Sequence, residues 1–240
     1  MIDAISFDLD DTLWDNPPVI RAAEAALENW VRKQVPKLVP YYQLETLLIF
    51  RRELIATNPH LRHRISELRE QVLFRALVHS GYPEKESQAL ASEGFNLFLE
   101  ARHQVTPYPE AEALLQTLGS RFTLIALTNG NADVARLPLG RHFDHSVRAE
   151  QISLAKPDPD FYRAALQRVG VAPQRTLHIG DDLQNDVISA RDAGLFTLWF
   201  NPRKQEVDRN LSREPIELQV ERLEEIPATI KQWLARRDTH

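Results

Sequence analysis

The chain has 240 residues, 43% of them hydrophobic and 26% charged, with a formal net charge of −5. Such a composition belongs to an ordinary globule, with room for one large domain or for a domain that carries an insertion. The acidic balance argues against a protein built for nucleic acid or an anionic membrane surface. The lack of cysteine excludes disulfides, thiolate catalysis and Cys-ligated zinc.

In chain order, AISFD within residues 3–8 predicts a first strand, apolar enough for a sheet covered on both faces. Residues 15 to about 105 then read as helical. Pro17 and Pro18 suit the first turn of a helix over VIRAAEAALENWVRK. A second helix is expected over YYQLETLLIFRRELIA, a third over RISELREQVLFRALVHS, and a fourth from Pro83-Glu84 through ALASEGFNLFLEARH. From Thr106 the texture alternates: helix 109–119, strand 122–127, a short strand at 145–149, helix 158–169, strand 176–180, helix 183–193, strand 196–200. Alternation of this kind predicts a doubly wound parallel α/β sheet. Residues 203–223 give no clear element, and a last helix is expected over 226–236. The expected division is an α/β core of residues 1–14 and 106–240, interrupted by a helical domain of residues 15–105. The helical block holds 12 Lys+Arg and 11 Asp+Glu, so the acidic excess lies in the α/β part. No run approaches the ~18 apolar residues of a membrane span. The opening MIDAISFDLDD has no basic segment leading into an apolar one, so a cytoplasmic protein is the expectation.

Ligands of open parallel sheets bind outside the carboxyl ends of the strands. Four such points carry polar groups here: Asp8-Leu9-Asp10-Asp11-Thr12, Thr128-Asn129-Gly130, Lys156-Pro157, and Gly180-Asp181-Asp182 with Asp186 beyond. Asp8, Asp10, Asp181 and Asp186 in one cleft would repel each other, and some would take up protons. A hard divalent cation resolves that conflict, and Mg²⁺ is the usual choice beside phosphate. A site of this kind suits a phosphate monoester, whose transfer depends on positioning and on neutralising charge. One aspartate can attack phosphorus, and a second, two residues on, can protonate the leaving alkoxide and later activate water.

DLDDT, LTNG, the lysine of AKPDPDFY and GDDLQNDVISARDAG occur in this order and together resemble the four motifs of the haloacid-dehalogenase-like superfamily in its phosphatase form. The resemblance implies Asp8 as nucleophile and Asp10 as general acid/base. It implies phosphate binding by Thr128 and the Asn129 backbone, with Lys156 stabilising nucleophile and phosphate. It places Mg²⁺ on the Asp8 carboxylate, the Asp10 carbonyl and Asp181, supported by Asp186, and makes the helical insert a four-helix cap. FDLDDTLWDNPPVI and ALTNGNAD are similar to the bacterial flavin mononucleotide phosphatase subgroup, which also acts on 5-amino-6-(5-phosphoribitylamino)uracil. The implied partner is a small phosphorylated metabolite, with no nucleic acid and no membrane; whether the chain is a monomer or a homodimer is left open.

Other readings stand beside these. A phosphatase for a sugar phosphate, phosphoglycolate or a nucleotide, or a phosphomutase, would share all four motifs. A 2-haloacid dehalogenase uses the first aspartate but needs neither metal nor Asp10, because halide leaves unprotonated. A catalytically silent binding protein would be expected to lack one of the motif residues. Asp11 and Asp182 read as helix caps or solvated neighbours, His178 as structural, and Trp14, Trp30, Phe50, Phe74 and Phe95 as packing of the helical domain or its hinge.

Overall fold

The computed structural model describes residues 2–207 and 215–237. Strand β1, Ala4–Phe7, is buried along its whole length, as a strand covered on both faces must be. It pairs in parallel with β2, Thr123–Thr128, on one side and with β4, Thr176–Gly180, on the other. Beyond β2 lies β3, His145–Arg148; beyond β4 lie β5, Phe196–Phe200, and β6, Leu218–Val220. The order is β3-β2-β1-β4-β5-β6, every pair parallel. This is a doubly wound α/β sheet, and its order reverses direction at β1. The strand β6 falls in the stretch that gave no element from sequence: three residues at a sheet edge are too few for a period-2 signal. Residues 208–214 of that stretch lie outside the described residues.

The contacts divide the chain into two compact units. One comprises the chain up to Asp15, Thr106–Gly130 and Val134 onward; the other comprises Asn16–Val105 and Asn131–Asp133. In the α/β unit, helix α5 spans Ala111–Gly119, α6 Ala149–Ile152, α7 Pro159–Val169, α8 Ser189–Asp192 and α9 Ile226–Arg237. The start of α7 follows from its sequence: Asp158 accepts the Asp160 N–H at 2.9 Å, and Pro159 fills a first-turn position that needs no donor. Gly170, at φ 77°, ends the helix in the left-handed conformation. One face of α7 packs Phe161, Ala165 and Leu166 against Ile125 and Leu127 of β2. The expected helix over 183–193 is two segments, a wide π-type turn Leu183–Ile188 and then α8.

In the helical unit, α1 spans Asn16–Gln34, α2 Leu44–Thr57, α3 Ile65–His79 and α4 Glu84–Arg102. The second helix begins later than its apolar pattern suggests. Pro36–Tyr41 form a 3₁₀ turn, and the chain passes through extended Gln43 before α2 starts. Leu27, Trp30, Leu73, Leu77, Phe95 and Phe98 form the unit's core, and the Trp30 indole donates to Glu93 at 2.9 Å. A recess of about 410 Å³ with mainly aliphatic walls opens among α1, α2 and α3; the charged pair at its edge, Glu24 and Arg69, is closed on itself at 2.6 Å. No helix among the described residues is long and apolar enough to cross a membrane.

Gly94 of α4 lets this packing occur. A Cβ there would lie 2.8 Å from both Leu73 Cδ2 and Trp30 Cζ3. Alanine would gain about 1 kcal/mol of helix propensity, but overpacking against a ring held by Glu93 costs about 1–3 kcal/mol. Gly94→Ala should therefore lower stability by about 1 kcal/mol in urea denaturation; a more stable variant would show that the Trp30 ring yields.

Candidate active site

The β1 carboxyl end supplies Asp8, whose N–H bonds the Ile179 carbonyl of β4 at 2.8 Å. The chain then turns tightly. Leu13 N–H returns to the Leu9 carbonyl at 2.9 Å, and Asp11 takes the left-handed conformation at φ 63°. This region is sparsely used by residues other than glycine, and aspartate tolerates it better than most. Asp11 lies in this turn, five residues before α1 begins, and its carboxylate lies 3.8 Å from Arg203. The turn brings Asp10 back beside Trp14, whose indole N–H donates to Asp10 Oδ1 at 3.0 Å. Asp182 does cap: its Oδ1 accepts from the N–H groups of Gln184 and Asn185 at 2.9 and 2.7 Å.

Lys156 is the cation of the site. Its Nζ lies 2.7 Å from Asp8 Oδ1 and 2.7 Å from Asp186 Oδ1, with only 2% of its side chain exposed. Its backbone is clamped by one amide side chain: Asn129 Nδ2 donates to the Lys156 carbonyl and Asn129 Oδ1 accepts the Lys156 N–H, both at 2.9 Å. The Asn129 side chain is thus spent on holding the lysine. Thr128, at the end of β2, accepts the Gly130 N–H on Oγ1 at 2.8 Å, and its hydroxyl proton is left to donate elsewhere.

Asp186 is surrounded by donors. Oδ1 meets Lys156, lies 3.3 Å from His178 Nε2 and 3.4 Å from the Tyr162 hydroxyl, and Oδ2 accepts the Asp182 N–H at 3.0 Å. Sheet register explains the histidine. Ser6 of β1 is paired with His178 of β4, so the two side chains share a face, and Ser6 Oγ meets His178 Nδ1 at 2.8 Å. Tyr162 projects from α7 and donates to the Asn185 carbonyl at 2.7 Å. Asp181 accepts from Thr12 Oγ1 at 3.3 Å, and its own carbonyl takes the Trp199 indole N–H at 2.8 Å. Ser6, Thr12, Trp14, Tyr162 and His178 are the participants that the sequence reading left out of the site. The signal for Thr12 was its place in DLDDT; His178 read as structural and Tyr162 drew no reading, because their partners are distant in the chain.

Asp8, Asp10, Asp11, Thr128, Lys156 and Asp181 line one polar recess of about 190 Å³, with Asn129 and Asp186. It is smaller than the apolar recess of the helical unit, but the convergent charges are here. Burial pushes Asp8 well above its ordinary value; Lys156 opposes that, and Asp186 and Asp10 add to it. Burial likewise raises Asp181, to about 7, with the charges of Asp186 and Asp11 contributing. For Asp186 burial acts upward too, but Lys156 and His178 outweigh it and hold the carboxyl well below the usual range. Burial works against the charge of Lys156, yet Asp186 and Asp8 keep it ionised, well above its ordinary value. Carboxylate oxygens of Asp8, Asp181 and Asp186 lie within 4.8 Å of one another. That hard oxygen set, with two of its members starved of positive charge, fits a small dication.

The family model described as haloacid dehalogenase-like hydrolase matches residues 2–194. The 5-amino-6-(5-phospho-D-ribitylamino)uracil phosphatase YigB of Escherichia coli is 32% identical over 201 residues, 84% of each chain. The phosphoserine phosphatase of Thermus thermophilus is 31% identical, covering 86% of this chain and 89% of its own. A crystal structure described as 2-haloacid dehalogenase from Pseudomonas syringae superposes with a TM-score of 0.92 at 41% identity, covering 97% of this chain and all of the other.

Two outcomes follow from this geometry. A Cβ on Gly180 would fall inside the contact distance of the Asp186 carboxyl, so Gly180→Ala should push Asp186 off Lys156. Turnover should fall about a hundredfold for a displacement of about 1 Å, with a melting temperature shift of a few degrees; unchanged turnover would show that the Asp186–Lys156 contact is dispensable. Burial holds His178 at about 4 against an ordinary 6.5, so the fold keeps it neutral where the unfolded chain takes up a proton. Stability present above pH 6.5 is therefore lost as pH falls toward 4. The loss between pH 7 and pH 5 is about 2 kcal/mol. In urea denaturation at those two pH values, His178→Gln should lose about that much less than the wild type; equal losses would refute the assignment.

Proposed function

The chain belongs to the haloacid dehalogenase-like hydrolase family, and on that premise we propose that it is a Mg²⁺-dependent phosphatase acting on a small phosphate monoester through an aspartyl-phosphate on Asp8. The observation that carries this reading is the pairing of two carboxylates with different surroundings. Asp8 is held against Lys156 at 2.7 Å, and Asp10, two residues on, is held by the Trp14 indole at 3.0 Å. Halide leaves a carbon without a proton, so a dehalogenase has no use for the second carboxylate; an alkoxide leaving phosphorus needs an acid.

In this mechanism one Asp8 oxygen attacks phosphorus as the bond to the leaving oxygen breaks, and Asp10 gives that oxygen its proton. Asp10 then takes a proton from water as the water oxygen attacks phosphorus, releasing phosphate and restoring the Asp8 carboxylate. Lys156 holds Asp8 in line and offsets charge on the transferred group, and the Thr128 hydroxyl and Asn129 N–H bind its oxygens. Asp8, Asp181 and the Asp10 carbonyl would hold Mg²⁺, while Asp186 braces Lys156 and the Asp182 N–H. When bound, Mg²⁺ supplies Lewis-acid neutralisation of the phosphoryl oxygens and of the acidic side chains. The helical unit serves as the lid domain and selects the leaving group. The E. coli relative is named for 5-amino-6-(5-phospho-D-ribitylamino)uracil. We take that compound and flavin mononucleotide, both primary alkyl phosphates, as the first substrates to try.

The competing reading is 2-haloacid dehalogenation, favoured by the name of the Pseudomonas syringae relative. Both are settled by one assay set. The purified protein with Mg²⁺ is compared on the two flavin-pathway phosphates, sugar phosphates, phosphoglycolate and nucleotides, and on 2-haloacids with the metal chelated. The expected result is phosphate release that stops on chelation and returns with Mg²⁺. One substrate should be preferred by tenfold or more in kcat/KM, about 1.4 kcal/mol. Asp8→Asn should lower kcat by about a thousandfold or more. Haloacid turnover in chelator, without phosphate release in Mg²⁺, would overturn the proposal.

A further inference from the structure

Trp14 is fully buried, and its place is set by the backbone on both sides. It bridges Asp10 in parallel and Pro107 in antiparallel fashion. Its carbonyl accepts the Asp11 N–H at 2.9 Å, and the neighbouring Leu13 carbonyl accepts the Tyr108 N–H at 2.9 Å. The ring therefore has little freedom, and its one polar atom points at Asp10 Oδ1, 3.0 Å away. An indole nitrogen is a donor only. It donates more strongly to a bare carboxyl oxygen than to one that carries a proton.

We propose that Trp14 is a positioning residue for the acid/base step: by holding Asp10 at Oδ1 it fixes the carboxyl's rotation and so aims Oδ2, the oxygen that passes the proton. This rests on the acid/base role assigned to Asp10 above. The proton moves from Oδ2 to the leaving oxygen as its bond to phosphorus breaks, and Asp10 becomes a carboxylate still held at Oδ1. In the second half, Oδ2 takes a proton from water as the water oxygen bonds to phosphorus. Without the indole N–H the carboxyl can rotate, and the proton is delivered from the wrong place in part of the encounters. A ring that merely fills space would leave proton delivery untouched.

The test compares leaving groups in the full-length protein with saturating Mg²⁺. p-Nitrophenolate leaves without protonation, whereas a primary alkoxide, as in flavin mononucleotide or whichever alkyl phosphate the screen selects, does not. Trp14→Phe, and a second variant with benzothienylalanine at position 14 that keeps the ring's shape but lacks the N–H, are measured beside Asp10→Asn. For both Trp14 variants kcat/KM on the alkyl phosphate should fall about tenfold. Their kcat/KM on p-nitrophenyl phosphate should fall much less, because that leaving group needs no proton. Asp10→Asn should lower kcat/KM about a hundredfold or more on the alkyl phosphate and much less on p-nitrophenyl phosphate, while kcat, which includes hydrolysis of the aspartyl-phosphate, should fall on both. If Asp10→Asn shows that selectivity but the benzothienylalanine variant loses neither substrate or both equally, the Trp14 assignment is wrong and the acid role of Asp10 stands. If Asp10→Asn lowers kcat/KM equally on both substrates, the acid role fails and the Trp14 assignment fails with it.

Discussion

A single buried ammonium among acidic side chains is the constraint from which the site is built. Lys156 touches Asp8 and Asp186 at 2.7 Å each, with almost no solvent access for the lysine or Asp186. Burying ions this deeply is costly unless each is paired and fully hydrogen-bonded. The structure meets that condition unevenly. Asp186 has three donors, in Lys156, His178 and the Asp182 N–H, and stays ionised, whereas Asp8 and Asp181 are left short of positive charge. The imbalance creates affinity for a cation and for the dianionic group that a cation accompanies.

Sheet geometry decides which residues share this constraint. The order reverses at β1, and the crevice at that point receives Asp8 from β1, Thr128 from β2, and Asp181 from beyond β4. Register adds a layer that motif spacing does not reveal. Pairing Ser6 with His178 puts a hydroxyl and an imidazole on one face beneath Asp186. The wide turn Leu183–Ile188, capped by Asp182, points Asp186 back toward Lys156. Gly180 leaves the space that its carboxyl occupies. These are local departures from regular structure, a π-type turn and the left-handed Asp11, found where the chain must aim a side chain.

The two recesses divide the tasks of chemistry and packing. The larger one, in the helical unit, is walled by aliphatic side chains, and its ion pair is self-satisfied. The smaller one concentrates acids, a lysine and hydroxyls. Size alone would direct attention to the wrong unit; convergence of polar groups with displaced protonation points to the right one.

Much was readable before any coordinates. Apolar runs of four to six residues alternating with helical periodicity determined a parallel α/β sheet, because only strands buried on both faces read that way. Acidic and polar residues directly after those runs named Asp8, Asp10, Thr128, Lys156, Asp181 and Asp186 as candidates, because ligands bind at strand carboxyl ends. Tertiary structure alone decided the rest. That the Asn129 side chain clamps Lys156, that His178 and Tyr162 face Asp186, that the Trp14 indole finds Asp10, and that Leu218–Val220 adds an edge strand are contacts set by strand register, turn conformation and sheet order. A sequence records which groups are present and their local period; it does not record the long-range alignment of one strand on another, which is settled only when the whole core packs.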